Sequence, residues 1–346
     1  MQVCRVGMGE SINIRKIAEL AECSPSTVSR VLAGRSGTIR ISEATRKRIL
    51  QVCAELDYQP SIHASRLFSG HSGVVGFLTA GEFMLEDDNL AKSFFHVCRE
   101  LFRYGCRCLP LMNDRSFREN REYLNIFKRH EIDGLLVWGA GEGDIFLEEL
   151  RRAGCPFLLI TNKVEGYPSV YSEQKSAVRE LAGDCIRLGA RRLAGLMSSD
   201  GFSYCQRKEG FLEAVDSSSS SCEAKLFPLS TGPGTVLGNA YRAAPEILAW
   251  SPDAVICASD EAAVGIEKYC LEHGIRIPED LLLTGGDNIK LSEYCQIPLT
   301  TFDQMAAECA VCAVEILMDH LKKGTPLKSM ERNVRILRRR STDRSA

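Results

Sequence analysis

From residue 74 onward the sequence alternates short runs that are apolar at nearly every position with longer segments that are apolar on one face only. The runs are VVGFLTA, CRCLPLM, GLLVW, FLLIT, LAGLMS, AVICAS, LLLTGG and LTTF. A strand with one wet face alternates strictly. A run that is apolar throughout belongs to a sheet covered on both sides, as parallel strands joined by helices are. Segments such as NLAKSFFHVCRELFRYG and EAAVGIEKYCLEHG carry the periodicity of the covering helices. The predicted fold class is α/β with parallel sheets, and about 270 residues of this pattern are enough for two lobes. Ligands of such sheets bind beyond the carboxyl ends of the strands. The serine run at 217–221 reads as an exposed loop.

Other features narrow the function. No apolar run approaches the ~20 residues of a membrane span. The opening MQVCRVGMGESIN has no apolar signal region, so the chain is expected to work in the cytoplasm. Its fifteen cysteines are then thiols in a reducing compartment. The close pairs Cys106/Cys108 and Cys309/Cys312 lack the second ligand pair of a zinc site, so no metal is expected. There is no P-loop lysine motif and no H-E-x-x-H. Gly139, Gly141 and Gly143 follow a strand, but Asp144 stands where a dinucleotide fingerprint needs its third glycine. The six histidines form no arguable catalytic set. The chain is expected to be neither an enzyme nor a cofactor protein.

The first 70 residues hold ten Lys and Arg against six Asp and Glu, while the rest of the chain is acidic. A basic head on an acidic body suits a polyanionic partner. Residues 1–58 read as three short helices. Asn13 caps the first, whose inward face is Ile14, Ile17, Ala18 and Ala21. Ser24 caps the second, with Pro25 at its first position and Val28, Val31 and Leu32 inward; Gly34 stops it. Ser26, Thr27, Ser29, Arg30 and Ala33 are left outward. Ser42 caps the third, with Ile49, Val52, Cys53 and Leu56 as its stripe and Arg46, Lys47 and Arg48 in its first half. The short turn between the first two helices makes a helix-turn-helix. Small outward residues let such a helix enter the major groove, where arginine reads guanine and hydroxyls hold phosphates. A generic three-helix bundle with a polar face has the same pattern.

Residues 59–73, QPSIHASRLFSGHSG, form a polar connector to the body at 74–346. Residues 61–69 are long enough for about two helical turns, marginal in water alone.

The stretch IRKIAELAECSPSTVSRVLAG…ISEATRKRILQVCAELDYQPSIHASRLFSG closely resembles the start of LacI/GalR-family transcription regulators. The resemblance implies that Asn13 contacts phosphate and that Ser24 begins the recognition helix. Pro25 and Ser26 fall on the variable base-reading pair, and Thr27, Ser29 and Arg30 on the further contacts. Pro25 has no side-chain donor, and Ala33 replaces the family's usual asparagine. Arg35 and Arg40 lie in a longer loop than usual. The connector resembles the family's hinge helix, with Leu67 as the wedge into the central minor-groove step. Ala64-Ser65-Arg66-Leu67 departs from the usual Ala-Arg-Ser-Leu.

The body resembles the family's periplasmic-binding-protein-like effector domain. QRKEGF at 206–211 matches Arg-x-x-Gly-Phe, which makes Arg207 an effector ligand; Asp287, in TGGDN, is implied as a second. ICASDEAAVG matches the Asn-Asp motif with Ser259 in place of asparagine, and Asp260 is expected to cap the next helix. Phe94 or Phe95 supplies a stacking wall, with core packing equally open. Gly286 stands where larger residues are common, and Thr161 and Ser172 where acids are. The closing VRILRRRST matches the family's last strand and supports a complete regulator. No apolar heptad follows Leu337, so the expected assembly is a homodimer on pseudo-palindromic double-stranded DNA. Its effector is expected to be a sugar or related metabolite. The alternative is a solute receptor without a regulatory role.

Overall fold

In a computed structural model, residues 13–32, 41–58, 71–80, 87–198, 201–218, 222–230 and 234–344 are described. They fall in two units, Met1–Gly73 and Val74–Ala346.

The first unit is built from its caps. Asn13 Oδ1 accepts from the amides of Arg15 and Lys16, at 3.0 and 3.1 Å, and starts α1 (Ile14–Leu20). Glu22 turns the chain in the left-handed region at φ 50°. Ser24 Oγ accepts from the Thr27 amide at 3.1 Å and starts α2 (Pro25–Leu32). Ser42 does the same through the Thr45 amide for α3 (Glu43–Glu55). Ile17, Ala18, Ala21, Val28, Val31, Ile49 and Cys53 form the core, with Ile14, Leu32, Val52 and Leu56 at its edge.

The second unit begins with β1 (Val74–Thr79), α4 (Asp88–Arg103), β2 (Arg107–Met112), α5 (Arg115–Glu119), α6 (Glu122–Lys128), β3 (Gly134–Trp138), α7 (Ile145–Arg152), β4 (Phe157–Ile160) and β5 (Ser169–Glu173). There follow α8 (Lys175–Arg187), β6 (Arg192–Met197), α9 (Phe202–Asp216), β7 (Glu223–Pro228), α10 (Val236–Ala249), β8 (Ala254–Cys257), α11 (Asp260–Glu272), β9 (Leu282–Thr284), α12 (Leu291–Tyr294) and β10 (Thr301–Asp303). The chain closes with α13 (Ala306–Lys323), β11 (Met330–Asn333) and β12 (Arg335–Leu337).

The first lobe is a parallel six-stranded sheet in the order β11-β5-β4-β3-β1-β2. Cores lie on both of its faces: α4 and α13 contribute to one, α6 and α7 to the other. The second lobe is a parallel four-stranded sheet, β7-β6-β8-β9, with β10 and β12 as an antiparallel pair beside it. The backbone passes between the lobes at Gln174, at Gln304–Met305 and at Val334. The predicted apolar runs are strands here. β5, β7 and β11 carried no such signal: SVYSE, EAKLFP and MERN are polar, and β7 and β11 are edge strands. None of the described cysteines is disulfide-bonded, and Cys205 is exposed.

Candidate functional site

The exposed side of α2 follows from its wheel. At 100° per residue, Val31, Val28 and Leu32 span one arc, Ser26 and Arg30 fall opposite, and Thr27 and Ser29 lie at its two edges. Pro25, Ser26 and Arg30 are exposed and Thr27 half so. Ser29 is a correction: expected outward, it is only 6% exposed. It borders the apolar arc beyond Leu32, and its small side chain fits where α2 meets its neighbours. Ser24 Oγ lies 2.7 Å from Ser26 Oγ and 2.8 Å from Thr27 Oγ1, so three hydroxyls cluster at the start of the helix. Asn13 spends Oδ1 on its cap, which leaves the Nδ2 amide to donate outward. Arg48 is tied to Glu22 at 3.2 Å, whereas Arg30 makes no ion pair with a described residue. Leu67, Ala33, Gly34, Arg35 and Arg40 lie outside the described residues.

In the second unit a cavity of about 260 Å³ opens beyond the carboxyl ends of β3 and β4. Trp138, Phe202 and Tyr204 give it aromatic surface, and Asn89, Thr161, Asn162, Ser203 and Gln304 neutral polar groups. Asp87, Arg207 and Asp287 are its charged residues. Arg207 is 3% exposed and its Nη2 donates to Asp287 Oδ1 at 2.5 Å. Its Nε donates to Gln174 Oε1 at 2.7 Å and its Nη1 to the Ala258 carbonyl. The guanidinium lies 5.1 Å from the Phe302 ring centroid and 5.6 Å from that of Tyr204. Burial opposes the arginine's charge, but the Asp287 carboxylate more than offsets it and raises the pKa. Asp287 sits at φ 105°, a strained value for a non-glycine residue, held there by its amide on the Phe302 carbonyl at 2.8 Å.

Gly286 has a spatial reason to be small. A Cβ there would lie 2.8 Å from Phe302 Cε1 and 3.1 Å from the Ala258 oxygen. Its lack of a side chain lets Phe302 pack under Arg207. Behind this pair, fully buried Asp260 accepts from the Ile289 amide at 2.9 Å and from Thr301 Oγ1 at 2.6 Å. Burial, with the Asp287 charge second, pushes the Asp260 carboxyl up to about 7.

Arg207 and Asp287 therefore meet at the cavity. Phe94 and Ser259 do not line it. Phe94 packs edge-on against Phe77, with ring centroids 5.3 Å apart, because its position on α4 faces the sheet; Phe95 is exposed. Ser259, not Asp260, caps α11, accepting the Ala262 amide at 3.3 Å. Asp87, Asn89, Trp138, Asn162, Phe202, Tyr204, Gln174 and Gln304 were missed, since no short motif marks them. Trp138, at the end of the run GLLVW, was findable from strand direction alone. Among the described residues, no group of three His, Cys, Asp or Glu could hold a metal ion. None of the described helices is long and apolar enough to cross a membrane.

A helix-turn-helix unit, joined on one chain to two α/β lobes with a polar, aromatic-lined cavity, defines a class: DNA-binding proteins that carry their own small-molecule receptor. A family model for bacterial regulatory proteins of the lacI family matches residues 13–61, and one for a periplasmic binding protein-like domain matches 182–342. The chain thus carries a lacI-family DNA-binding segment and a periplasmic binding protein-like domain, the two parts of a LacI-type regulator. It is similar to the ribose operon repressor of Halalkalibacterium halodurans, at 27% identity over 316 residues and 90% of each chain. The HTH-type transcriptional repressor PurR of Vibrio vulnificus is 26% identical over 324 residues, 89% of this chain and 92% of that one. The fold matches a lac repressor dimer bound to operator and the anti-inducer ONPF, with a TM-score of 0.80 at 20% identity, covering 96% and 99% of the two chains. A complex of the transcriptional regulator CelR with cellobiose gives 0.68 at 20% identity, covering 96% and 100%.

Proposed function

We propose that this protein is a transcription repressor that binds a pseudo-palindromic DNA operator as a homodimer and changes its affinity when an uncharged, hydroxyl-rich molecule fills the cavity. It acts in the cytoplasm, where the DNA is, and needs no cofactor. On the DNA side, Arg30 and Ser26 face base edges, while Asn13, Ser24 and Thr27 hold phosphates; Leu67 is the minor-groove wedge of a hinge at 59–73. The observation that carries the effector reading is the buried pair of Arg207 and Asp287 at a cavity with three aromatic side chains. Such a pair offers donor and acceptor to a diol, and ring faces suit the apolar side of a sugar. An anion is disfavoured. Asp287 already compensates the arginine, and Asp87 adds a second carboxylate.

A solute receptor without a regulatory role would have no use for the helix-turn-helix unit. Selection of bound sequences from random DNA, followed by mobility-shift assays with pools of neutral and anionic metabolites, tests the proposal. Absence of any preferred sequence would end the regulatory reading, and release by anions alone would end the uncharged-effector reading.

A further inference from the structure

Four side chains, three lining the cavity and one behind them, close a hydrogen-bonded ring. Arg207 Nε donates to Gln174 Oε1 at 2.7 Å, and Gln174 Nε2 to Gln304 Oε1 at 3.2 Å. Gln304 Nε2 donates to Asp287 Oδ1 at 3.1 Å, the oxygen that also accepts from Arg207 Nη2 at 2.5 Å. The direction of every bond is dictated by chemistry. Arginine can only donate and an ionised aspartate can only accept. Gln304 must therefore turn its nitrogen to Asp287 and its oxygen to Gln174. Gln174 must then donate to Gln304 and accept from Arg207.

The ring's members come from places that matter mechanically. Arg207 is on α9 and Asp287 follows β9, both in the second lobe. Gln174 lies where the chain leaves β5 of the first lobe for α8 of the second, and Gln304 where it leaves β10 for α13. Gln174 is 0% exposed and does not line the cavity, so a ligand reaches it only through its partners. Its amide nitrogen also lies 3.3 Å from both Ser172 Oγ and Ser203 Oγ, and its backbone N–H donates to Gln206 Oε1 at 2.7 Å.

We infer that Gln174 is a positioning residue that couples Arg207 to two of the backbone crossings between the lobes. A ligand that draws Arg207 or Asp287 toward itself weakens the bonds to Gln174 and Gln304 together and loosens both crossings at once. The inference rests on the proposed function only in taking Arg207 and Asp287 as ligand contacts.

Amide hydrogen exchange on the full chain without ligand tests the coupling directly. Arg207→Lys keeps the charge but loses the donor to Gln174. Exchange should rise in both 168–178 and 300–306, by roughly ten- to a hundredfold, the worth of a buried charge-assisted hydrogen bond. Gln174→Glu keeps the acceptor for Arg207 but cannot donate to Gln304. Whichever way Gln304 turns, two acceptors then face each other, so exchange should rise in 300–306. In both variants β3 and β6 should keep their protection. Wild-type exchange in the crossings of either folded variant overturns the coupling. So does a uniform rise that includes β3 and β6, which would mean simple loss of stability. A ligand bound without touching Arg207 or Asp287 would instead end the effector reading, while the exchange result stood.

Discussion

Arg207 and Asp287 lie 80 positions apart in sequence and 2.5 Å apart in space, both almost shut off from solvent. A buried pair of this kind adds little net stability, because desolvating two charges costs about what their attraction returns. Removing one partner is costly, since it strands the other. Arg207→Ala should abolish the response to effector and lower stability by about 3–5 kcal/mol. Operator binding at a temperature where the variant remains folded should persist. Mobility shifts with and without the metabolite pool, alongside a denaturant melt, check both halves. A variant that still responds would overturn the site.

Arg30 projects from the exposed arc of α2 without an ion-pair partner among the described residues. Arg30→Ala should cost about 1–3 kcal/mol on the selected operator and relax sequence preference at one position of each half-site. An equal loss on operator and random DNA would assign it to phosphate instead.

Asp260 gives a pH dependence. Its carboxyl titrates at about 7 in the folded chain, against an ordinary value of 3.8. Between those values the folded chain holds a proton that the unfolded chain has released. This contribution to stability is therefore complete at low pH and is lost as pH rises through 7. Melting temperature should fall from about pH 5 to pH 8, and Asp260→Asn should flatten that fall. Asn keeps one oxygen to accept from the Ile289 amide and can turn its Nδ2 to the Thr301 hydroxyl, so the slope is the readout. An unchanged slope would remove Asp260 as its source.

Large apolar side chains stand exposed on α4 and α12, with Phe102 at 81%, Tyr294 at 79% and Phe95 at 59%. The two elements are tied at their near ends, where Lys92 Nζ donates to the Asn288 carbonyl at 3.2 Å and the Lys290 amide to Asp88 Oδ2 at 3.4 Å. Apolar side chains this exposed are expected to be covered by a second copy of the chain. Light scattering should give the mass of two chains, and Phe102→Glu with Tyr294→Glu should reduce it to one. A mass of four would contradict the homodimer.

Much of the architecture was legible in the sequence because it is written in local chemistry. The caps at Asn13, Ser24 and Ser42 each bond an amide two or three residues away, so reading them needs no fold. Apolar runs bounded by turn residues located the central strands. Ser29 was misread because a wheel built on one short helix does not say how far its neighbours wrap around it. Ser259 and Asp260 were exchanged because both can cap a helix, and only the surroundings decide which side chain turns back to the amides. Asp260 instead reaches Ile289 and Thr301, from segments distant in sequence.

The sequence by itself determined the helix-turn-helix, the parallel α/β character and, through motif resemblance, the two charged residues of the cavity. Tertiary structure alone decided that Arg207 spends its charge on Asp287, that Gly286 is small so that Phe302 can pack beneath it, and that Gln174 and Gln304 complete a ring. Helix caps and strand runs depend on neighbours a few residues away, which a sequence displays. A buried polar side chain depends on which partners surround it after folding, and in this ring those partners come from chain segments up to 130 residues apart.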